Sequence, residues 1–207
     1  MKRCVIVGGA DISNYDLIRR VLRDDDHFIY CDSGLRHMHE LRRRPDLIVG
    51  DFDSHENPHM DIETIVLPHI KDDTDTVYAA KEAVKRGFDD FLLIGVTGLR
   101  LDHTLGNLYI LLYLDSIGKK ACIRDDYSEM EIISSGTATV SCDYSYFSLL
   151  NISGCARGIN VTGALYPLSD AEITCEYQYG VSNEVLPGQE AVITVGQGRL
   201  LLIKIFS

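Results

Sequence analysis

The sequence lacks the features that mark several common classes of protein. It has 20 basic against 31 acidic residues, which argues against a nucleic-acid-binding surface because such surfaces carry a basic patch. Its six cysteines include no C-x-x-C pair, so neither the spacing of a zinc site nor a compact disulfide framework is present. No apolar run approaches the roughly 18 residues that cross a bilayer, so we expect no membrane partner.

The remaining composition is that of a globular protein. Hydrophobic residues make up 45% and charged residues 25% of the 207-residue chain, which is enough apolar material for one large or two small domains. The first apolar run, Cys4–Val7, is broken by Gly8 and Gly9 and is too short for a signal peptide. Because scattered cysteines are typical of reduced thiols, we predict a cytoplasmic protein.

Strand and helix patterns alternate over residues 1–124. This alternation predicts an α/β domain, a mostly parallel Rossmann-like sheet with helices on both faces. Gly8 and Gly9 suit either a nucleotide-binding turn or an ordinary tight turn, because the full G-x-G-x-x-G pattern is absent. The predicted strands are Cys4–Val7, Phe28–Cys31, Leu47–Val49, Ile62–Leu67, Phe91–Ile94 and Ala121–Ile123. The predicted helices are Tyr15–Leu22, Leu35–Arg43, Thr76–Val84 and Thr104–Leu114.

Residues 125–207 follow a different pattern. Short strands are separated by Gly, Asn, Ser or Pro and no helical period persists, which predicts an all-β domain, a sandwich or a small barrel. The stretches Tyr166–Leu168 and Gly180–Asn183 are the least strand-like and are either binding loops or simple turns. The predicted strands are Glu131–Ile133, Thr137–Val140, Tyr146–Leu150, Gly158–Val161, Glu172–Thr174, Ala191–Val195 and Arg199–Ile205.

Acidic side chains follow the carboxyl ends of four strands of the predicted sheet. Asp32 follows the second strand, Asp51 and Asp53 the third, the acids of residues 72–75 the fourth, and Asp102 the fifth. In open α/β sheets ligands bind at this edge, so we expect these acids to face a ligand. Asp51 and Asp53 are two positions apart and would point the same way. Paired carboxylates of this kind favour Mg²⁺ with substrate phosphates.

Each of these patterns has a purely structural alternative. Asp53 or Ser54 could cap a following helix, and the acids of residues 72–75 could stabilise a helix N-terminus. The neighbouring basic residues favour a phosphate site instead: Lys71 and Arg100 could bind phosphate oxygens, and His103 could donate to them. Asp102 could be a metal ligand or a general base.

A series of motifs, taken in order, carries a family resemblance. They are Asp32–Gly34, Pro45–Ser54, Lys71–Asp75, Gly95–Asn107 with its Thr-Gly-x-Arg-x-Asp-His core, Thr162–Leu168 and Gly180–Asn183. On these residues the chain resembles the bacterial thiamine pyrophosphokinases over essentially its full length. The resemblance implies two domains, a nucleotide- and metal-binding catalytic domain at 1–124 and a β-sandwich thiamine-binding domain at 125–207.

The resemblance also implies a reaction and a set of site residues. Thiamine and ATP would give thiamine diphosphate and AMP, with Mg²⁺ as cofactor, in a homodimer whose thiamine site lies between the catalytic domain of one subunit and the β domain of the other. The implied metal- and phosphate-handling acids are Asp51, Asp53 and Asp75. The implied nucleotide contacts or catalytic supports are Asp32, Lys71, Asp72, Thr74, Arg100, Asp102 and His103. The implied thiamine contacts are Tyr166, Ser182 and Asn183.

The residue expected to stack on thiamine differs from that of some relatives. They stack thiamine on a tryptophan where this chain has Tyr166, and the chain contains no tryptophan. Tyrosine can also stack on a cationic ring.

The predicted mechanism relies on charged side chains. Lys71 and Arg100 supply fixed positive charge, and Asp102 or Asp72 could take the hydroxyl proton. The alternatives are a pyrophosphokinase for another small alcohol, such as a pterin, and a non-catalytic nucleotide or metal sensor.

Overall fold

The computed structural model describes residues 2–52, 60–68, 70, 72–98 and 100–206. The chain divides into two compact units, Met1–Asp126 and Tyr127–Ser207. The first is a parallel sheet with helices and the second an antiparallel β-sandwich, which confirms the predicted fold class. In the described part of the chain, no helix combines the length and the apolar character needed to cross a bilayer.

The first unit contains a six-stranded parallel sheet. Its elements are β1 (Arg3–Val7), α1 (Tyr15–Arg19), β2 (His27–Cys31), a 3₁₀ helix (Asp32–His37), α2 (Met38–Leu41), β3 (Leu47–Gly50), β4 (Thr64–Val66), α3 (Asp75–Lys85), β5 (Asp90–Ile94), α4 (Leu101–Ser116) and β6 (Lys120–Arg124). The strand order is β6-β5-β1-β2-β3-β4, with parallel pairing throughout. The order therefore reverses between β1 and β5, where such sheets form a crevice.

Both faces of this sheet are covered, as the continuous apolar strands predict. Val5 and Val7 share a core with Ile18 of α1 and Leu41 of α2. Their neighbours along β1 point to the opposite face, where Ile6 is fully buried and α3 packs against β1, β2 and β3.

The helix predicted over 35–43 is wrong in part. The chain turns directly from β2 into the 3₁₀ helix, and only Met38–Leu41 is α-helical. A side chain at Gly34 would come within 2.3 Å of the Val7 carbonyl oxygen, so this tight turn packs backbone against β1. The last helix begins earlier than predicted, at Leu101, which places Asp102 and His103 in its first turn.

The second unit is a sandwich of two four-stranded antiparallel sheets. Its strands are β7 (Ser128–Ser134), β8 (Thr137–Ser141), β9 (Tyr144–Leu150), β10 (Cys155–Thr162), β11 (Leu168–Thr174), β12 (Gly180–Asn183), β13 (Glu190–Thr194) and β14 (Arg199–Phe206). The orders are β12-β9-β14-β7 and β11-β10-β13-β8. Side chains from both sheets, including Phe147 and Leu202 from one and Val161 and Ile193 from the other, form one buried core.

The prediction that Gly180–Asn183 is not a strand is wrong. These residues form β12, which pairs with β9. The pairing is irregular between Gly180 and Asn183, and Ser182 has a φ of 58°. This left-handed residue breaks the alternation by which a strand is read from sequence.

Candidate active site

The ends of β2 and β3 come together at the carboxyl edge of the sheet. Cys31 pairs with Val49, so the next residues, Asp32 and Gly50, lie side by side. A side chain at Gly50 would lie 3.1 Å from the Asp32 Cβ atom, so the absence of one permits this close approach. Asp51 directly follows, and the carboxylates of Asp32 and Asp51 are thereby brought to one place.

Three carboxylates form a cluster at this edge. Asp32, Asp51 and Asp75 each offer an oxygen atom, and these atoms all lie within 4.8 Å of one another. Asp32 is buried, and Asp51 and Asp75 are half-buried. Three carboxylate oxygens converging from separate segments are a donor set that fits a hard divalent cation such as Mg²⁺, because Mg²⁺ takes oxygen ligands and commonly carboxylates.

The structure places Asp75 in this cluster through helix α3. Asp75 is the first residue of α3, and the Thr74 hydroxyl caps the helix by accepting a hydrogen bond from the Val77 N–H at 3.4 Å. The Cys31 thiol donates to the Asp75 carbonyl at 3.7 Å, which links the end of β2 to α3. Thr74 therefore caps the helix, and the Asp75 carboxylate joins the cluster.

The remaining acids of this segment lie elsewhere. Asp73 pairs with Lys81, with Nζ–O distances of 2.7 and 2.8 Å, and Asp72 is exposed. Among the residues that the structure describes, neither joins the carboxylate cluster. Asp53 and Lys71, both predicted to contact metal or phosphate, lie outside the described residues.

Arg100 and Asp102 pair with each other at the start of α4. Arg100 Nε and Nη2 donate to the two Asp102 carboxylate oxygens at 3.0 and 2.7 Å. The bonded guanidinium holds the pKa of the Asp102 carboxyl well below its usual range, and the same bond raises the pKa of Arg100. Both Asp102 carboxylate oxygens are thus bonded to Arg100. His103 is exposed on the same turn.

The loops after β1 and β5 meet at the point where the strand order reverses. The Gly8 N–H donates to the Ile94 carbonyl at 2.9 Å and the Ala10 N–H to the Gly95 carbonyl at 2.8 Å. A side chain at Gly8 would come within 2.6 Å of the Gly95 carbonyl oxygen. The glycines therefore allow two backbone segments to pack closely beside the crevice, which accounts for Gly8 without requiring a ligand.

A buried histidine holds the loop after β1. His37 Nε2 lies 2.9 Å from the Ala10 carbonyl oxygen, which can only accept, so Nε2 carries the hydrogen. Nδ1 then accepts a hydrogen bond from the Tyr15 hydroxyl at 2.7 Å. Burial lowers the pKa of His37 below its ordinary value, and the charge of Arg36 lowers it further.

In the second unit, the Asn183 side chain holds the backbone of Tyr166. Its Oδ1 accepts from the Tyr166 N–H at 3.0 Å and its Nδ2 donates to the Tyr166 carbonyl at 2.8 Å. Asn183 is buried, whereas the Tyr166 side chain is exposed. Ser182 is also exposed, and its N–H donates to the Ser148 hydroxyl at 3.0 Å. Asn183 therefore fixes the Tyr166 loop, while Tyr166 and Ser182 keep accessible side chains.

Two family models match this chain, one in each unit. That described as "Thiamin pyrophosphokinase, catalytic domain" covers residues 18–123, and that described as "Thiamin pyrophosphokinase, vitamin B1 binding domain" covers residues 133–200. The chain belongs to the thiamin pyrophosphokinase family. Membership implies an ATP-dependent diphosphotransferase, and the alternatives of a pterin enzyme or a non-catalytic sensor receive no support.

Individual thiamin pyrophosphokinases agree with this assignment. The thiamine pyrophosphokinase of Bacillus subtilis is 27% identical over 190 residues, which cover 87% of this chain and 88% of that protein. The crystal structure of thiamin pyrophosphokinase from Geobacillus thermodenitrificans aligns with a TM-score of 0.85 at 26% identity, covering 100% of this chain and 98% of that one. The crystal structure of the Bacillus subtilis protein aligns over both full chains with a TM-score of 0.88 at 22% identity, which shows the shared fold.

Two features of this thiamin pyrophosphokinase family site were not predicted from sequence. Asp32 was predicted to contact nucleotide, yet it lies among the carboxylates. Thr76 and Asn107 were not assigned any role, yet the Thr76 hydroxyl donates to the Asn107 side chain at 2.7 Å beside the cluster. The adjacency of β2 and β3 is the signal that could have placed Asp32, because consecutive strands are often neighbours.

Proposed function

We propose that the chain transfers the pyrophosphoryl group of ATP to the hydroxyl group of thiamine, with Asp32, Asp51 and Asp75 as the metal-holding residues. The hydroxyl oxygen attacks the β-phosphorus, the bond from that phosphorus to the oxygen bridging the α- and β-phosphates breaks, and AMP leaves with the bridging oxygen. The cluster of three carboxylates at the carboxyl edge of the sheet carries this proposal.

The chain's own residues position the phosphates. Mg²⁺, when bound by the three carboxylates, would supply charge neutralisation for the phosphate oxygens. Arg100, oriented by Asp102, adds fixed positive charge that suits the oxygens of the transferring group. Asp102 bonds Arg100 through both carboxylate oxygens, and Asp102 or Asp72 would take the hydroxyl proton, as the sequence predicts. The roles of Asp53, Lys71, Asp72, Thr74 and His103 stay predictions.

Thiamine would bind beside the Tyr166 loop of the β-sandwich. The Tyr166 side chain is 62% exposed, so its ring face is free to stack on a cationic heterocycle. Ser182 presents an accessible hydroxyl on the neighbouring β12. The buried amide of Asn183 supports this site by holding the backbone of the loop, so its contribution is indirect.

We further propose a homodimer in which each thiamine site combines the α/β unit of one subunit with the β unit of the other. Exposed apolar side chains support a partner surface on both units. Leu101, Leu105 and Tyr109 are 65%, 48% and 58% exposed and lie on one face of α4. In the second unit, Leu165 and Val181 are also exposed.

The activity is tested by measuring AMP formation from ATP with thiamine, with no acceptor, and with a pterin alcohol. The proposal expects AMP and thiamine diphosphate in equal amounts with thiamine alone. AMP formation with the pterin but not with thiamine would contradict it, as would tight ATP binding without turnover of either acceptor. The cytoplasmic location stays a prediction.

The shared site is tested by co-expressing an Asp75→Asn chain with an Asn183→Leu chain. A mixed dimer would contain one site with both changes and one site with neither. With thiamine well below KM, where both changes lower the rate, we therefore expect the mixed preparation to be more active than either variant alone. A different affinity tag on each chain allows the mixed dimer to be isolated; if that dimer regains no activity, the site lies within one subunit.

A further inference from the structure

A directional chain of hydrogen bonds joins the start of α3 to the loop after β5. The hydroxyl groups of Thr74 and Thr76 are 3.1 Å apart, and Thr76 Oγ1 donates to Asn107 Oδ1 at 2.7 Å. Asn107 Nδ2 then donates to the Val96 carbonyl at 2.8 Å. Because Thr76 uses its hydrogen on Asn107, the hydrogen between the two threonines comes from Thr74.

The orientation of the Asn107 amide follows from its partners. Exchanging its oxygen and nitrogen would face the side-chain oxygen toward the Val96 carbonyl, and two acceptors cannot bond. Asn107 is 5% exposed, so a lost partner would leave a buried polar atom unsatisfied. The link is therefore specific in direction and costly to break.

The two ends of this link carry different parts of the proposed site. Thr76 lies next to Asp75, a member of the carboxylate cluster, on the first turn of α3. Val96 lies in the loop that leads from β5 to Arg100, and the Gly98 N–H of that loop donates to the Thr104 hydroxyl at 3.0 Å. Helix α4 thus holds the loop through Thr104 and reaches α3 through Asn107.

We propose that Asn107 is a positioning residue that fixes Asp75 relative to the loop carrying Arg100. This inference rests on the proposed function, in which the two groups act on one polyphosphate. Phosphoryl transfer depends on the placement of charged groups more than on covalent help from the protein, and a misplacement of about 1 Å can lower the rate on the order of 100-fold.

A matched pair of variants tests the hydrogen bond from Thr76 to Asn107 without creating a cavity. Thr76→Val removes the hydroxyl and keeps the shape, whereas Thr76→Ser keeps the hydroxyl. We expect Thr76→Val to lower kcat/KM for ATP on the order of tenfold or more and to lower Tm, because Asn107 Oδ1 loses its partner. Thr76→Ser should restore both values. Equal kcat/KM values in Thr76→Val and Thr76→Ser would overturn the proposal.

The second measurement needs no turnover, so it separates this proposal from the proposed function. Mg²⁺ with α,β-methylene-ATP, in which the bond to be broken is replaced, is added and amide hydrogen exchange is followed. In the wild-type protein we expect slower exchange at both Val77 and Gly98, and in Asn107→Leu slower exchange at Val77 alone. We call slower exchange at both Val77 and Gly98 the paired exchange response. Its absence in the wild type, or its persistence in Asn107→Leu, would overturn the proposal.

A buried asparagine in the other unit supplies the control. Asn151 donates to the Ile173 carbonyl at 3.0 Å and accepts from the Ser153 N–H at 2.9 Å, so it matches Asn107 in burial and bonding. Asn151→Leu should lower Tm and leave the paired exchange response unchanged. If Asn151→Leu abolishes that response as Asn107→Leu does, the effect is general destabilisation and the proposal is wrong. If the wild type does not turn over thiamine, the proposed function is wrong, and the exchange measurement still tests the role of Asn107.

Discussion

The two units of the chain organise their polar groups in opposite ways. In the α/β unit, carboxylates from three separate segments, Asp32, Asp51 and Asp75, converge with oxygen atoms that lie within 4.8 Å of one another. In the β-sandwich, the buried amide of Asn183 is neutral and both of its polar atoms bond the Tyr166 backbone. Converging like charges cost stability unless a cation binds them, whereas a satisfied amide stabilises its loop by itself. The contrast is consistent with the proposed cation in the first unit and with a prearranged loop in the second.

The largest expected effect comes from removing a carboxylate of the cluster in the α/β unit. Asp51→Asn and Asp75→Asn each remove one negative ligand, so we expect kcat for AMP formation to fall on the order of 10²–10³-fold. Steady-state kinetics at saturating Mg²⁺ make the measurement. The matched control is Asp73→Asn, which removes a carboxylate that pairs with Lys81. Wild-type kcat in either cluster variant, or an equal loss in Asp73→Asn, would contradict the assignment.

The next effect is on the loop that the neutral amide holds. Asn183→Leu leaves the Tyr166 N–H and carbonyl without their partner, and each lost bond costs about 1–3 kcal/mol when the group stays buried. We expect KM for thiamine to rise on the order of tenfold while KM for ATP stays unchanged. Isothermal titration with thiamine checks the same change in binding.

The control for this loop lies in the same unit. Asn160 also bridges two backbone segments, by bonds of 3.2 Å to the Gly158 carbonyl and 3.0 Å from the Asp170 N–H. Asn160→Ala should alter Tm but not KM for thiamine. A rise in KM for thiamine that is equal in the two variants would show that Asn183 acts only through stability.

A smaller effect is expected from the exposed ring itself. Cation–π stacking contributes about 0.5–2 kcal/mol, so Tyr166→Ala should weaken thiamine binding several-fold and Tyr166→Phe should change it little. Tryptophan is the better stacking partner, so Tyr166→Trp should tighten binding. Titration of each variant with thiamine decides the point, and unchanged affinity in Tyr166→Ala would place thiamine elsewhere.

The amount that could be predicted differs between the units for physical reasons. Apolar runs that alternate with helical patterns located all six parallel strands, because a strand buried on both faces must be apolar throughout. The edge position of Asp51 and Asp75 followed from the same pattern. The approach of Asp32 to Asp51 did not, because it depends on β2 lying beside β3 and on the absence of a side chain at Gly50.

Contacts that join distant residues left no periodic signal. Strand β12 brings Asn183 to Tyr166. This strand was not predicted, because its pairing is irregular and Ser182 is left-handed. Similarly, Asn107 meets Thr76 only because α3 and α4 pack against each other. The family motifs include Tyr166, Asn183 and Asn107 but not Thr76. The predicted contact of Asn183 with thiamine stays a prediction, and its two bonds to the Tyr166 backbone are seen only in the structure.

The smallest expected effect is a pH dependence confined to one unit. All seven histidines lie before residue 127, and burial lowers the pKa of His27 and of His37 from 6.5. As the pH falls, these two histidines therefore take up protons at a higher pH in the unfolded chain than in the folded protein. Their contribution to stability is complete above about pH 6.5 and is lost as pH falls through the folded-state values.

Native-state hydrogen exchange can resolve this difference. As the pH falls from about 7.5 to about 5.5, a range in which histidine titrates, opening free energies of amides in β2 should decrease and those in β13 should stay constant. His37→Asn should reduce the slope in β2. An equal pH slope in both strands would contradict the contribution assigned to the histidines.

The central claim, that Asp32 completes a metal site with Asp51 and Asp75, is tested most directly by metal binding. Mn²⁺ alone, followed by electron paramagnetic resonance, is titrated into the wild type, Asp32→Asn and Asp73→Asn. Asparagine tolerates the φ of 39° at position 32, so the backbone is kept. We predict Mn²⁺ affinity weakened on the order of tenfold or more in Asp32→Asn and unchanged in Asp73→Asn. Equal Mn²⁺ affinity in all three proteins would contradict the account.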